Sequence, residues 1–263
     1  MRWETLTYPD FEGAVRACAG VGIVPIGVIE PHGAHLPLGT DTNTAHWIAC
    51  HAAEREPAVV FPPYSWGVNH EGAHLPGSVV IKRELLFQLL QNVCDEMARH
   101  GLKRIVLISG HGGNRYFLPL FVQTMVEEER DYVVYYGDPP RLSTTDVIES
   151  DETGHACERE TSTSLVIEPE NVRMDAVPEP FTSRRDNAAL KEVGAYSPVD
   201  WYSMYPNMYV GDASRATVEK GEALLEDRVA SLTKLLAAVK ADEVTPALMG
   251  RFYAGARSPS SPY

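Results

Sequence analysis

VGIVPIGVIE, residues 21–30, is an almost unbroken apolar run that closes on a carboxylate. Ten residues cannot span a bilayer, which needs about 20. A short run without polar alternation is expected of a strand buried on both faces. Comparable runs recur as RIVLISG (104–110) and DYVVYYGDP (131–139), with shorter pieces at AVVFPP (58–63) and GSVVI (77–81). Helical spacing lies between them. Leu85, Leu86, Leu89, Leu90, Val93 and Met97 form one stripe within 82–100, with Gly101 at its C-terminal cap. A helix from Thr42 to Glu54, one from GHGGN to about Arg130, and one within 214–241 complete the alternation. The expected fold class is α/β, with a mostly parallel sheet covered on both faces. No repeat or low-complexity linker divides the chain. One domain is expected over residues 1–255, followed by a frayed, proline-rich tail at 256–263.

The formal net charge of −13 repels phosphate backbones, which argues against a nucleic-acid partner. The N-terminal residues lack a signal peptide's apolar core, and no run reaches membrane-spanning length. The four cysteines are scattered without C-x-x-C spacing, as expected of reduced thiols. The expectation is a cytoplasmic protein with no membrane partner.

Ligands of parallel α/β folds bind outside the carboxyl ends of the strands, and two polar segments begin there. EPHGAHLPLGTDTNTAH (30–46) crowds one glutamate, three histidines and one aspartate into a loop and the start of a helix. Glu30 and His32, two apart in an extended segment, face one side. Asp41 can return to the same place, or it can cap the helix that starts at Thr42. Oxygen and imidazole donors without thiolates suit Zn, Mn or Fe(II). His35 and His46 read as supporting or ordinary helix histidines. The second segment, SGHGGN (109–114), lacks both the G-x-G-x-x-G pattern and a P-loop lysine. Its His111 reads as a ligand, although a glycine-rich turn before a helix can also hold an anion. In GHACERETSTSLV (154–166), His155, Glu158 and Glu160 either join this pool or simply suit a helix N-terminus. Together the three segments supply enough ligands for two divalent ions sharing a carboxylate.

The chain resembles the creatininase (creatinine amidohydrolase) family through PIGVIEPHGAHLPLGTD (25–41), HLPGS (74–78), SGHGGN (109–114), HACERETS (155–162) and GDASRAT (211–217). The resemblance implies a three-layer α/β/α fold and a metal-dependent amidohydrolase. It would cleave a C–N amide bond (in a cyclic amide, a formamide or a small peptide) with a metal-activated hydroxide at a binuclear centre. It implies two divalent ions per subunit, zinc first, with manganese or iron as alternatives. Glu30, Asp41 and His111 would hold one ion. His32, Asp41 and Glu160 would hold the other, with Glu158 competing for that last place. His155 would be catalytic, Glu158 or Glu160 would help orient the water, and Ser78, Gly112 and Gly113 would contact substrate. Ser78 also reads as a plain turn residue. A small-molecule amide substrate and a homo-oligomer, a hexamer among the options, are also implied.

Three departures point away from creatinine itself. Creatininases carry Tyr-Glu where this chain has Gly112-Gly113, that Glu being a ligand there. They place a Trp shortly before the catalytic His, where this chain has Asp151 to Gly154. They usually have Gly at the position of Cys157. Trp66, Trp201, Tyr202 and Tyr205 can line a pocket or sit in a core or subunit interface. The alternative function is a non-enzymatic α/β small-molecule or anion-binding protein that uses the GHGGN loop.

Overall fold

The computed structural model describes residues 1–137, 147–184 and 186–259. Four strands, β1 (Val21–Ile26), β2 (Val59–Val60), β3 (Arg104–Ser109) and β4 (Val133–Gly137), form one sheet in the order β2-β1-β3-β4. Every neighbouring pair is parallel. Val21 stands opposite Arg104 and Ile26 opposite Ser109, so β1 and β3 end side by side.

The helices are α1 (Tyr8–Ala17), α2 (Thr40–Arg55), α3 (Arg83–Arg99), α4 (Asn114–Thr124), α5 (Glu158–Ile167), α6 (Ala188–Glu192), α7 (Asp200–Met204), α8 (Val218–Ala241) and α9 (Val244–Arg257). The two-residue period of the central strands explains why they read as continuous apolar runs. Val21 and Ile23 of β1, with Val106 and Ile108 of β3, face a core shared with α2 and α8. Val24, Ile26, Ile105 and Leu107 face the opposite core, shared with α1, α3 and α4. The result is the three-layer α/β/α arrangement expected.

The C-terminal ends of β1 and β3 position the site. Gly27 and Gly110 follow these strands directly, and α2 begins on top of them. A Cβ on Gly27 would lie 2.3 Å from the Thr42 backbone nitrogen, and one on Gly110 would lie 2.1 Å from the Asp41 carbonyl oxygen. Only glycine allows the first turn of α2 this close to both strand ends.

Some expectations differ from the structure. Residues 77–81 form no strand, because a single backbone bond, Val79 N–H to Ile29 O (3.0 Å), ties them to the exit of β1. Val79 and Val80 are both exposed. Helices α1, α6, α7 and α9 were not expected from the sequence. Helix α9 runs to Arg257, two residues into the expected tail, and 260–263 lie outside the described residues. Asp138 and Pro139, read as the end of a strand, also lie outside them. Among the described residues no helix is long and apolar enough to cross a membrane.

Candidate metal centre

Three strand-end segments converge on one buried cluster. Glu30 and His32 come from the exit of β1, Asp41 from the first turn of α2, and His111 from the β3–α4 loop. His155 lies just ahead of α5, and Glu160 lies in its first turn. Glu30, His32, Asp41, His111 and His155 are buried. Asp41 is not the helix cap, since Gly39 holds that position. Its carboxylate instead points at two histidines, with Oδ1 3.0 Å from His32 Nε2 and Oδ2 2.8 Å from His111 Nδ1. His111 Nδ1 also lies 3.0 Å from Glu30 Oε1. His155 Nδ1 is 3.8 Å from that same oxygen, and His32 Nε2 is 3.9 Å from Glu160 Oε2.

The outer ring nitrogens fix the tautomers. A backbone carbonyl can only accept, so each outer nitrogen must carry hydrogen. His32 Nδ1 donates to Glu30 O (3.1 Å), His111 Nε2 to Val68 O (2.8 Å) and His155 Nε2 to Pro31 O (2.8 Å). In the neutral rings every inner nitrogen therefore presents a lone pair to carboxylates. Lone pairs facing anions repel unless a cation lies among them. With the rings neutral, the carboxylates tell the same story, since Glu30 Oε1, Glu30 Oε2 and Asp41 Oδ2 are then buried without a hydrogen-bond donor. Buried polar atoms normally have partners, and orphaned anionic ones are costly. The donor set of imidazole and carboxylate, with backbone carbonyls orienting the imidazoles, fits a divalent ion. Glu30, Asp41 and His111 have donor atoms close enough to share one ion, as do His32, Asp41 and Glu160. Glu30, His32 and His155 form a third such group.

Protonation without a cation follows from the same contacts. Burial disfavours a charged His32, but Asp41, Glu160 and Glu30 prevail and push it up to about 10. His111 is likewise raised well above its ordinary value by Glu30 and Asp41, against burial. Burial works against the charge on Asp41, yet the two histidines hold its carboxyl far below the usual range. Burial raises Glu160. His155 differs, for burial and the neighbouring charge of His32 push it down to about 4.

The remaining expected residues divide clearly. Glu158 does not join the cluster. Its carboxylate accepts from the backbone N–H groups of Glu149 and Ser150 and from Ser150 Oγ, and it pairs with Lys220 Nζ at 2.5 Å. Successive helical positions rotate side chains apart, so Glu158 and Glu160 cannot both face the ions. Ser78 Oγ donates to Gly72 O (2.6 Å), the turn-like role, while a Cβ on Gly72 would lie between Ser78 Oγ (3.0 Å) and Glu30 Oε2 (3.5 Å). Around Gly112 there is open space, whereas a Cβ on Gly113 would meet His111 Nε2, Val68 O and Glu71 Oε1, all within 2.8 Å. His35 Nε2 bonds Thr161 Oγ1 (2.8 Å), away from the ligand groups, and His46 faces Cys50 and Glu4. Cys157 is packed, with burial raising its thiol. Two residues were missed or left open. Glu71, whose Oε1 is 3.8 Å from His111 Nε2, signalled itself only as an acid three residues ahead of HLPGS. Trp201 sets its ring edge-on to His155 at 5.7 Å.

Comparison with known proteins agrees with this geometry. The family model described as Creatininase: Creatinine amidohydrolase matches residues 4–236. Creatinine amidohydrolase of Pseudomonas putida is 26% identical over 245 residues, covering 84% of this chain and 90% of that protein. The mycofactocin precursor peptide peptidase of Mycolicibacterium smegmatis is 31% identical, covering 79% and 80%. Solved creatininases in a Zn–Zn form and an Mn form, each 25% identical, superpose with TM-scores of 0.73 and 0.71. They cover 92% of this chain and 98% and 99% of their own. A match over nearly the whole chain, on a shared fold and with a donor set suited to divalent ions, places this protein in the creatininase family of hydrolases.

Proposed function

We propose that this chain is a metal-dependent amidohydrolase with a binuclear centre. Glu30, Asp41 and His111 would hold one divalent ion, and His32, Asp41 and Glu160 the other, with Asp41 common to both. Zinc is the first candidate, then manganese or iron. The observation that carries this reading is the set of three imidazoles whose inner nitrogens converge on buried carboxylates that, among the described residues, pair with no Lys or Arg. An anion-binding role for GHGGN is disfavoured, because these carboxylates would repel the anion.

Divalent ions held by these residues would supply Lewis acidity and would lower the pKa of a water enough for it to act as nucleophile near neutral pH. The chain's own groups do the rest. The Val68 and Pro31 carbonyls hold His111 and His155 in one tautomer. His155 Nδ1 stands farther from its carboxylate than the inner nitrogens of His32 and His111 stand from Asp41. With Nε2 donating to Pro31, its Nδ1 lone pair can take the proton lost by the nucleophile and return it to the leaving nitrogen, which departs poorly as an anion. The C–N bond then breaks to a carboxylate and an amine. The names of relatives that act on creatinine and on a precursor peptide support a C–N bond as the target.

The test is elemental analysis of protein purified without chelator, followed by hydrolysis of cyclic amides, formamides and short peptides. Close to two equivalents of metal per chain and turnover of one class are expected. His155→Ala should keep the metal and lose turnover. A folded protein that takes up no metal on titration overturns the reading.

A further inference from the structure

We infer that the substrate carries, beyond its scissile amide, an aromatic or branched apolar group ending in an anion, carboxylate or phosphate, and that a cavity beside the cluster is its subsite. This rests on the amidohydrolase reading above. The cavity, about 390 Å³, lies within the range of small-molecule pockets. Its inner end belongs to the cluster's own surroundings: Val68 takes the His111 hydrogen, Glu71 approaches the same nitrogen, and Trp201 packs edge-on against His155. Gly113 completes this end, and any side chain there would strike the Glu71 carboxylate.

Much of the cavity wall is apolar. Leu86 and Phe87 of α3 face Phe117 and Leu120 of α4. A small cyclic amide seated at the cluster would leave this length unfilled. Arg115 also lines the cavity from an exposed position, its guanidinium 4.9 Å over the Tyr116 ring. Among the described residues it pairs with no carboxylate, whereas Arg83, which also lines the cavity, is paired with Glu84 at 2.8 Å. In a chain of net charge −13, a guanidinium held on an aromatic face without a counter-ion is suited to a carboxylate or phosphate.

The experiment is calorimetric titration of metal-loaded protein with three probes: 3-phenylpropanoate, 2-phenylethyl phosphate and the neutral 3-phenylpropanol. At least one anion should bind about tenfold or more tightly than the alcohol, as a charge-assisted hydrogen bond allows. The tighter of the two anions identifies the group. Arg115→Gln should erase the preference, and Phe87→Ala should weaken all three probes. Equal binding of anions and alcohol, or a preference that survives Arg115→Gln, overturns the inference. Probe binding as expected with no hydrolysis of any amide would leave the subsite standing and remove the amidohydrolase reading. Hydrolysis without probe binding would do the reverse.

Discussion

Gly110 lies so close beneath Asp41 that a single methyl group on it would sit 2.1 Å from the Asp41 carbonyl oxygen. The acid that faces both His32 and His111 is thus placed by the backbone fit of β3 against α2. Gly110→Ala must push the first turn of α2 outward. Overpacking of this kind costs about 1–3 kcal/mol or more, which lowers the melting temperature by several degrees. The same displacement parts Asp41 from His32 and His111. Metal content and thermal denaturation of the variant should therefore fall together, and unchanged metal content would show that Asp41 does not depend on this contact.

Asp41→Ala should abolish binding at both positions, because its two oxygens face the two histidines separately. Loss of one equivalent only would mean that the ions share no carboxylate. His111→Ala should lose metal and activity together. Elemental analysis of both variants beside the wild type decides each point, and full activity in a folded, metal-free His111→Ala protein would exclude the scheme.

The layered fold was legible because Val21 to Ile26 and Arg104 to Ser109 bury both faces, so their apolar runs needed no partner to be recognised. Glu30, His32 and His111 were legible for a related reason: they lie just past those strands, and Asp41 ends the same loop where α2 begins. What lay beyond the reading depends on contacts distant in sequence. Glu71 reaches the site only because its segment folds under Gly113. Sequence offers Glu158 and Glu160 equally; in the structure Lys220 and Ser150 hold the Glu158 carboxylate, while Glu160 Oε2 lies 3.9 Å from His32 Nε2. Residues 77–81 read as a strand from composition alone, and nothing in sequence shows that no ladder partner awaits them.

The histidines give the metal-free protein a pH dependence of definite sign. His32 is raised from 6.5 to about 10, so its pairing with Asp41 stabilises the fold fully below about pH 6.5 and is lost as pH rises through about 10. The melting temperature of chelator-treated protein should fall between pH 7 and pH 10 from this source. Metal-loaded protein should not show that fall, since a coordinated imidazole is already deprotonated. At pH 7 metal uptake should release about two protons per chain, from His32 and His111. Calorimetry in buffers of different ionisation enthalpy measures that number, and a value near zero would contradict the raised histidines.

Glu158 and Glu160 should fail in opposite ways when neutralised. Glu158 is buried, accepts from Ser150 and two backbone N–H groups, and pairs with Lys220, which is partly exposed and keeps Glu149 as a second partner, so losing the carboxylate costs about 1–3 kcal/mol. Glu158→Ala should therefore lose stability while keeping its metal. Those partners hold the Glu158 carboxyl below its ordinary 4.5 despite burial, so its contribution is present above about pH 4.5 and lost as pH falls below it. The destabilisation by Glu158→Ala should accordingly shrink in acid. Glu160→Gln removes a charge that burial already disfavours, so little stability should be lost without metal. Its effect should appear as loss of the ion held with His32 and Asp41. Denaturant unfolding of both variants at pH 7 and pH 4, beside their metal content, separates the two roles. Metal loss in Glu158→Ala with metal retained in Glu160→Gln would reverse the assignment.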